Sequence, residues 1–559
     1  MPAASVLAKE QYGWDCLKSN GSVFWFKGYL YGTEPSALFQ KLNEALAAWQ
    51  PDRLRDELRA IHGHFALILQ TAERTLAAVD QVRSIPLFIC NRCGDRDAGV
   101  ASHAPSLARE MHQAPLDEDA ARELAMAGYT IGNATLVQGL RQLGPGEFGV
   151  SDNGTDWVED RYQRYEPWRV VNKDEAELED KLGDVTLSII RKMADSANGR
   201  MIVIPLSAGL DSRLIASALR HIGYDNVRCF SYGIAGNYET QASQQIADAL
   251  GFRWKYWRYW PREQAAFFKG DLHARYLDYC DSLCSVPFIQ DLAAIDGLKR
   301  DGFIPDDAVL VNGNSGDFIS GNHIPAYLRG VRREPGSESS RRPEILRALV
   351  TKHFRLWQAL GTTENDAAVS ASFGRLMDVQ ALTLGAPETD HGIYEFLEFY
   401  TRQTRYVITG ERIYEFLGHD WRLPLWDNEY LDFWQGISVS MKAGQKLYRQ
   451  MLEQRNWGGV WGANWRFRHR VNPAWMRWLV RPPLKALHAP LGAERWHRFE
   501  KRYLNYWMDL WAAVSVVSPM TTLRDGRGAR SFVSWHTEAY LASKGLGYDG
   551  RPASDAFVP

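Results

Sequence analysis

The residues best placed to do chemistry sit in two short turns of small side chains. The first is "LSAGLDS", Leu206–Ser212, where the apolar run "MIVIPL" hands over to the apolar helix pattern "DSRLIASALRHIG". The second is "GNSGD", Gly313–Asp317, which follows "AVLVN". Ser207, Ala208 and Gly209 carry so little side chain that an anionic group can approach the backbone, and Ser212 adds a hydroxyl donor. Asp211 would repel a phosphate unless a divalent cation lay between them, so the pattern points to a phosphate carried with Mg²⁺. The spacing is not GxxxxGK[ST], which excludes a Walker loop. A plain strand–turn–helix corner, with Asp211 stabilising the start of the helix, explains the same residues. On these residues alone both readings stand.

Such turns need a strand behind them and a helix in front. From about Glu175 the chain alternates: helix 175–197, strand 201–206, helix 211–222, strand 227–233, helix 238–250, strand 254–258, then a further strand over Ala308–Asn314. That grammar predicts a parallel sheet covered on both faces, with ligands at the carboxyl ends of its strands. The first ~165 residues read differently, as a sheet-rich unit. Ser22–Gly32 is strand-like, Glu34–Trp49 has helical period, and His64–Gln81 holds two strands around a polar turn at Thr71–Arg74. Arg141–Gly154 is a Gly/Pro turn between strands. Gly330–Glu344 is charged and aperiodic and reads as a mobile surface loop; after residue 345 the chain reads mostly helical.

A chain of 559 residues is too long for one ordinary core, so two or three domains are expected. Its 45% hydrophobic and 24% charged content is that of a soluble globular protein, and a net charge of −2 argues against nucleic acid as a partner. The start "MPAASVLAKEQYGW" lacks the basic and apolar regions of a signal peptide. No run of about 18 or more apolar residues appears. Six cysteines make no disulfide framework, which suits a cytoplasmic location. Cys90 and Cys93 form a lone CxxC, read as strand burial rather than a metal or redox site.

Several motifs, in one order, resemble the asparagine synthetase superfamily. "LSAGLDS" is similar to the SGGxDS pyrophosphate loop of ATP-pyrophosphatases, and "VLVNGNSGDFISGNH" stands where the family has LSGEGADE. "DWRLPLWD", Asp420–Asp427, matches the spacing of ExRxPFLD, and "AGQKLYRQML" matches a late "K…R" helix. In the first part, "GHFALIL", "AAVDQVRSIPLF" and "LRQLGPGEF" resemble the family's glutaminase strands. The resemblance implies a multidomain α/β protein. A degenerate glutaminase of the Ntn-hydrolase-like α/β sandwich type would span residues 1–168, and a parallel-sheet ATP-pyrophosphatase (PP-loop) domain residues 169–460. A helical extension would span residues 461–559.

The same resemblance implies a reaction. A carboxylate is a poor acylating agent; adenylation by ATP gives it a good leaving group, and an amine or ammonia then displaces AMP to form an amide. Leu206, Ser207, Gly209 and Ser212 would bind the ATP phosphates and nucleoside edge, and Ser231 and Gly313 would line the adenosine site. Asp211 and Asp317 would hold Mg²⁺, and Lys446 would stabilise charge as the acid attacks the α-phosphorus. Asp420 and Arg422 join Asp317 and Lys446 in the implied catalytic set, although Arg422 equally suits an ion pair with Asp420 or Asp427.

Departures from the family pattern narrow the reading. Pro2 stands where glutamine-using members have their nucleophilic cysteine, and "KGY", Lys27–Tyr29, replaces the glutamine-gripping NGE, so no glutaminase activity is expected. The nitrogen would be ammonia, free or from a separate glutaminase, or an amine on the substrate. The last case would make a cyclase like the β-lactam synthetases and lasso-peptide cyclases. Asn314 and Phe318 replace two family glutamates, which implies an acid other than aspartate or a non-catalytic ATP-binding scaffold. The form "NGNSGDFISGNHIP" resembles a subset linked to bacterial surface polysaccharides, where the acid would be a hexuronate, a small-molecule or glycan carboxylic acid. From Arg466 to Arg502 ten Lys/Arg face two acids, with Trp465, Trp475, Trp478 and Trp496 among them and Trp507 and Trp511 following. That mix suits an acidic sugar, a diphosphate-linked carrier, or peripheral contact of the 465–511 segment with the inner membrane surface. Packing of those tryptophans against the synthetase part is the competing reading.

Overall fold

A computed structural model describes the chain except residues 1–3, 9–12, 93–95, 112–113, 172–173, 234, 236–237, 330–336, 468–474, 501–503, 505–515 and 554–556. Pro2, Cys93, the start of the 330–344 loop, Arg468, Arg470, Lys501, Arg502, Trp507 and Trp511 therefore lie outside the described residues.

The first part is built as four layers. An antiparallel six-stranded sheet runs in the order β10–β9–β5–β4–β3–β2: β2 is Asp15–Ser19, β3 Ser22–Leu30, β4 Gly63–Gln70, β5 Arg74–Val79, β9 Glu147–Asp152 and β10 Trp157–Arg161. Helices α1 (Pro35–Ala47) and α2 (Pro51–Arg59) cover one face through Leu38, Leu42, Leu46, Leu54 and Leu58, packed on Phe24, Leu67 and Leu76. The opposite face presents Ile68, Ala77 and Val79 to a second sheet. That sheet runs β1–β7–β6–β8, with β1 Ser5–Leu7, β6 Phe88–Cys90, β7 Gly99–Ala101 and β8 Leu140–Gln142. Its far face, Phe88 and Ala101, packs on α3 (Ala104–Glu110) and α4 (Glu118–Ala127) through Leu107 and Leu124. Period-two alternation, sending successive side chains to opposite faces, is what lets β4 and β5 serve two cores at once.

The second part holds a five-stranded, wholly parallel sheet in the order β13–β12–β11–β14–β15. The strands are β11 Ile202–Pro205, β12 Val227–Gly233, β13 Arg253–Arg258, β14 Val309–Val311 and β15 Asp420–Arg422. Ile202 pairs with Val227 on one side and Val309 on the other, and Val309 pairs with Asp420. The central strands are buried and branched, as a sheet covered on both faces requires, whereas the edge strand β13, "RWKYWR", is charged and half-exposed. Helices α5 (Glu175–Ser196), α6 (Asp211–His221) and α7 (Tyr238–Leu250) cover it. The chain steps from β11 to β12 and β13 on one side, then crosses back to β14 on the other. The carboxyl ends of β11 and β14 thus flank the topological switch point.

Two expectations are corrected here. The strand read over Ala308–Asn314 is three residues, Val309–Val311, because Asn312 onward turns into the second small-residue loop. The loop read to Glu344 ends early: helix Glu338–His353 is already under way there, with Arg341 buried against the Asp390 carboxylate at 2.6 Å. Among the described residues no helix is long and apolar enough to cross a membrane.

Candidate active site

The two turns singled out in the sequence meet at the switch point, on the wall of a cavity of about 830 Å³. Leu206, Ser207, Gly209, Asp211, Ser212, Ser231, Gly313 and Asp317 all line it. Helix α6 begins there with Leu210 at its N-cap, a residue with no side-chain oxygen to spend on the first-turn N–H groups. The loop before it is held by its own serines: Ser207 N–H donates to Ser212 Oγ and Gly209 N–H to Ser207 Oγ, each at 3.1 Å. Close approach of the second turn demands glycine. A Cβ on Gly313 would lie 2.6 Å from the Ser212 nitrogen, and one on Gly316 would lie 2.6 Å from Asp211 Cγ.

The carboxylates are joined across this contact. Asp211 Oδ2 accepts from the Asp317 N–H at 2.9 Å, and Oδ1 accepts from the Tyr448 hydroxyl at 3.1 Å. Burial, then the negative charge of Asp317, pushes the Asp211 carboxyl up to about 7. Burial acts to raise Asp317 as well, but the hydrogen bond and charge of His323, whose Nε2 lies 3.2 Å from Oδ2, hold it below its ordinary value. His323 is itself raised to about 9: burial would lower it, and the Glu398 and Asp317 carboxylates on its two nitrogens override that. Glu398 is buried and also takes Lys352, His353 and the Gln403 amide. Two carboxylates facing bare backbone suit a Mg²⁺ ion that takes its remaining ligands from phosphates and water. Among the described residues no group of three His, Cys, Asp or Glu forms a metal cluster.

The far wall comes from a π-helical stretch, Phe399–Val407, through Arg402, Gln403, Tyr406 and Val407. Gln403 Oε1 accepts from the Ser315 hydroxyl at 2.6 Å, tying this wall to the second turn; Ser315 sits there with φ +67°. Arg402 makes no hydrogen bond or ion pair with any described residue, while His323 and Lys352 are engaged on Glu398; Arg405, whose guanidinium also lacks a hydrogen-bond partner, is buried and does not line the cavity. Phe532 and His536, from helix Phe532–Ser543 far along the chain, complete the lining.

Residues 195–455 match the family model described as asparagine synthase. The matched segment contains both turns and Arg402, while Phe532 and His536 lie beyond it. No curated protein matches the chain significantly. Among solved structures, one described as the allosteric regulatory enzyme of purine biosynthesis aligns at 15% identity and TM-score 0.18, over 43% of this chain and 61% of that one. Glutamine phosphoribosylpyrophosphate amidotransferase from B. subtilis, complexed with ADP and GMP, aligns at 14% identity and TM-score 0.17, over 49% of this chain and 77% of that one. This chain thus spans less than two thirds of the first of these proteins.

Three residues expected in the catalytic set stand elsewhere. Lys446 opens helix Lys446–Arg455, but its side chain is 45% exposed and pairs with Glu175 at 2.8 Å; Tyr448 and Gln445 are the residues of that segment that bond Asp211 and Ser320. Asp420 is exposed and pairs with Arg200 at 2.7 Å. Arg422 bonds Ser196 Oγ at 2.9 Å and lies over the Tyr29 ring at 4.2 Å, so neither Asp420 nor Asp427 is its partner; Asp427 takes Lys192. Sequence reasoning quoted His323 without giving it a role and missed Arg402, Gln403, Phe532 and His536. A late helix rich in aromatics was the one visible signal for the last two.

Where the first part meets the second, Lys27 is buried against Glu415 at 3.0 Å, and burial pulls it down to about 8. Tyr29 bonds His64 Nδ1 at 2.6 Å and accepts the Leu423 N–H at 3.1 Å. Burial holds His64 down at about 3, so the imidazole is neutral. Of the described tail tryptophans, Trp465 packs against the core of the parallel-sheet part, Trp496 is buried in a small cluster with Met476 and Leu504, and Trp475 and Trp478 are exposed, so packing against the second part describes Trp465 and not the others.

Proposed function

We propose that the chain is an AMP-forming synthetase that activates a carboxylic acid with ATP and joins it to ammonia or an amine. The observation that carries the reading is the meeting of a bare-backbone helix start, two linked carboxylates and one uncommitted arginine in a single cavity. The first-turn N–H groups of α6 and the positive end of its dipole would take phosphate oxygens. Asp211 and Asp317 would hold Mg²⁺, which supplies charge neutralisation on the phosphates. Ser231 and the neighbouring Tyr232 and Gly233 suit the nucleoside. Arg402, with the planar fork that matches a carboxylate, takes the stabilising role that the family resemblance implies for Lys446. Keeping His323 protonated between Asp317 and Glu398 adds a fixed cation where negative charge develops on oxygen.

The acid we favour is a hexuronate turned to a uronamide for a surface polysaccharide. Phe288 and Tyr406, with ring centroids 5.6 Å apart, offer flat faces, while Asn314 and Gln290 offer amides for ring hydroxyls. The first part would not hydrolyse glutamine, because Lys27 and Tyr29 are spent on the second part; glutamate release from glutamine is then expected at background. The placement of Lys446 favours one second reading, a non-catalytic nucleotide-binding scaffold. Acid-dependent exchange of labelled pyrophosphate into ATP separates the two. Exchange with a uronic acid, lost in Asp211→Asn, supports the synthetase; nucleotide binding without exchange for any acid tried supports the scaffold.

A further inference from the structure

Five of the chain's exposed large hydrophobic side chains fall within one helical run. Trp478, Leu479 and Leu487 are each 71% exposed, and Trp475 and Leu491 are 50% exposed. The run continues from Trp475 through Met476–Val480 and Arg481–His488 to Ala489–Leu491, turns at Gly492 with φ +86°, and returns as helix Ala493–Phe499. The hairpin has a small core of its own: Met476, Trp496 and Leu504, with Val480, Leu484 and Phe499 packed against them. His488 closes it, its ring centroid 4.3 Å from that of Phe499.

Four-residue spacing sorts the first helix into three stripes. Met476, Val480, Leu484 and His488 face the return helix. Trp475, Leu479, Leu487 and Leu491, with Trp478 beside them, face solvent. Arg477, Arg481 and Lys485 form the third stripe; Arg481 pairs with Glu500 at 2.5 Å and Lys485 is exposed. The inward stripe already satisfies the hairpin's own packing, so the outward apolar stripe contributes nothing to the fold. The surrounding sequence, Arg466–Arg502, carries ten basic and two acidic residues, a strong positive bias in a chain whose net charge is −2. A protein partner of ordinary composition would meet that bias with a complementary acidic patch. A surface uniformly negative at its headgroups and apolar just beneath matches both stripes at once.

We propose that the Trp475–Leu491 helix lies in the interface of an anionic lipid bilayer, with Trp475, Trp478, Leu479, Leu487 and Leu491 below the headgroups and the basic side chains among them. Trp475 and Trp478, both in the first turn, set two amphipathic rings at the boundary just beneath the headgroups, where such a ring is stable. The anchoring is peripheral, and the synthetase cavity stays in water.

The test uses the full-length protein and sucrose-loaded vesicles of phosphatidylcholine alone or with phosphatidylglycerol. Wild-type protein is expected to sediment with the anionic vesicles and to do so at least about tenfold less with the neutral ones, with binding weakened by salt. Trp478→Glu/Leu487→Glu changes two exposed positions, so it is expected to keep its thermal midpoint and nucleotide binding while losing at least about tenfold of the vesicle partition. Arg477→Gln/Lys485→Gln is expected to remove the preference for anionic over neutral vesicles. Wild-type protein that ignores both vesicle types overturns the proposal, as does partition unchanged in the double-glutamate variant. Self-association of the wild type that the glutamates abolish, without lipid binding, would assign the stripe to a second copy of the chain and overturn it too.

Discussion

Gly316→Ala tests the contact on which the proposed nucleotide site depends. The added Cβ would lie 2.6 Å from Asp211 Cγ, 2.7 Å from Asp211 Oδ1 and 2.7 Å from Leu425 Cδ1, where ordinary contact begins at 3.4 Å. The Asp211 carboxylate must therefore retreat by about 0.8 Å, against its bonds to the Asp317 N–H and the Tyr448 hydroxyl. Overpacking of this kind costs about 1–3 kcal/mol, which the fold survives, whereas a misplacement near 1 Å costs about 10²-fold in a reaction that depends on alignment. Gly374→Ala is the control: it sits in helix Thr363–Val379, and its Cβ would meet only Arg342 Nη2, at 3.6 Å. Equilibrium dialysis of Mg·ATP and acid-dependent pyrophosphate exchange are the assays. Gly316→Ala is expected to lose roughly tenfold or more in nucleotide affinity and about 10²-fold in exchange, with Gly374→Ala unchanged. Nucleotide affinity in Gly316→Ala within about threefold of wild type would mean that Asp211 does not meet the nucleotide's charge, and the reasoning would fail.

Other outcomes follow from side-chain placement. Lys446→Ala should leave exchange and thermal midpoint near wild type, because the ammonium reaches the exposed Glu175 and the Met441 sulfur and no residue of the cavity; a large loss of exchange would restore Lys446 to the catalytic set. Arg402→Ala should raise the half-saturating acid concentration about ten- to a hundredfold while ATP affinity holds, and unchanged acid dependence would remove Arg402 from the substrate's path. Glu123 is buried, accepts the Ile131 N–H at 2.7 Å, and is pushed by burial up to about 8. The native state thus keeps a proton that the unfolded chain releases near 4.5, so this group costs stability progressively as pH rises between those values. Glu123→Gln should therefore gain on wild type by roughly 3 kcal/mol between pH 5 and 7.5 in urea or thermal unfolding, and a gap that does not change with pH would contradict it.

What the sequence made legible was local. The turn at Leu206–Ser212 and the strands and helices on either side of it declare themselves through short apolar runs and small residues, so β11, β12, α6 and α7 fall close to where they were read. Strand β15 was visible only as a motif: three residues, Asp420–Arg422, are too few to show a period, and their pairing with β14 is a tertiary fact. Lys446 illustrates the opposite error. Spacing fixed its helix but not which face looks inward, and the packing of Tyr448 on Asp211 turns Lys446 to solvent. Arg402 could not be found because its neighbours in the chain, Gln403 and Arg405, look equally eligible. Only the partners of each show that Gln403 is engaged with Ser315 and Glu398 and that Arg405 is buried away from the cavity.

Helix Phe532–Ser543 is fixed by Trp535 against Trp357, ring centroids 4.9 Å apart, and by the Tyr540 hydroxyl on Asp281 at 2.7 Å, and it brings Phe532 and His536 to the cavity. During synthesis the β11–α6 corner leaves the ribosome long before that helix does. A nascent chain can assemble the parallel sheet yet still lack one side of its pocket. The lining closes only once the late helix has docked, so the pocket's full shape waits on a segment made some three hundred residues after its first turn.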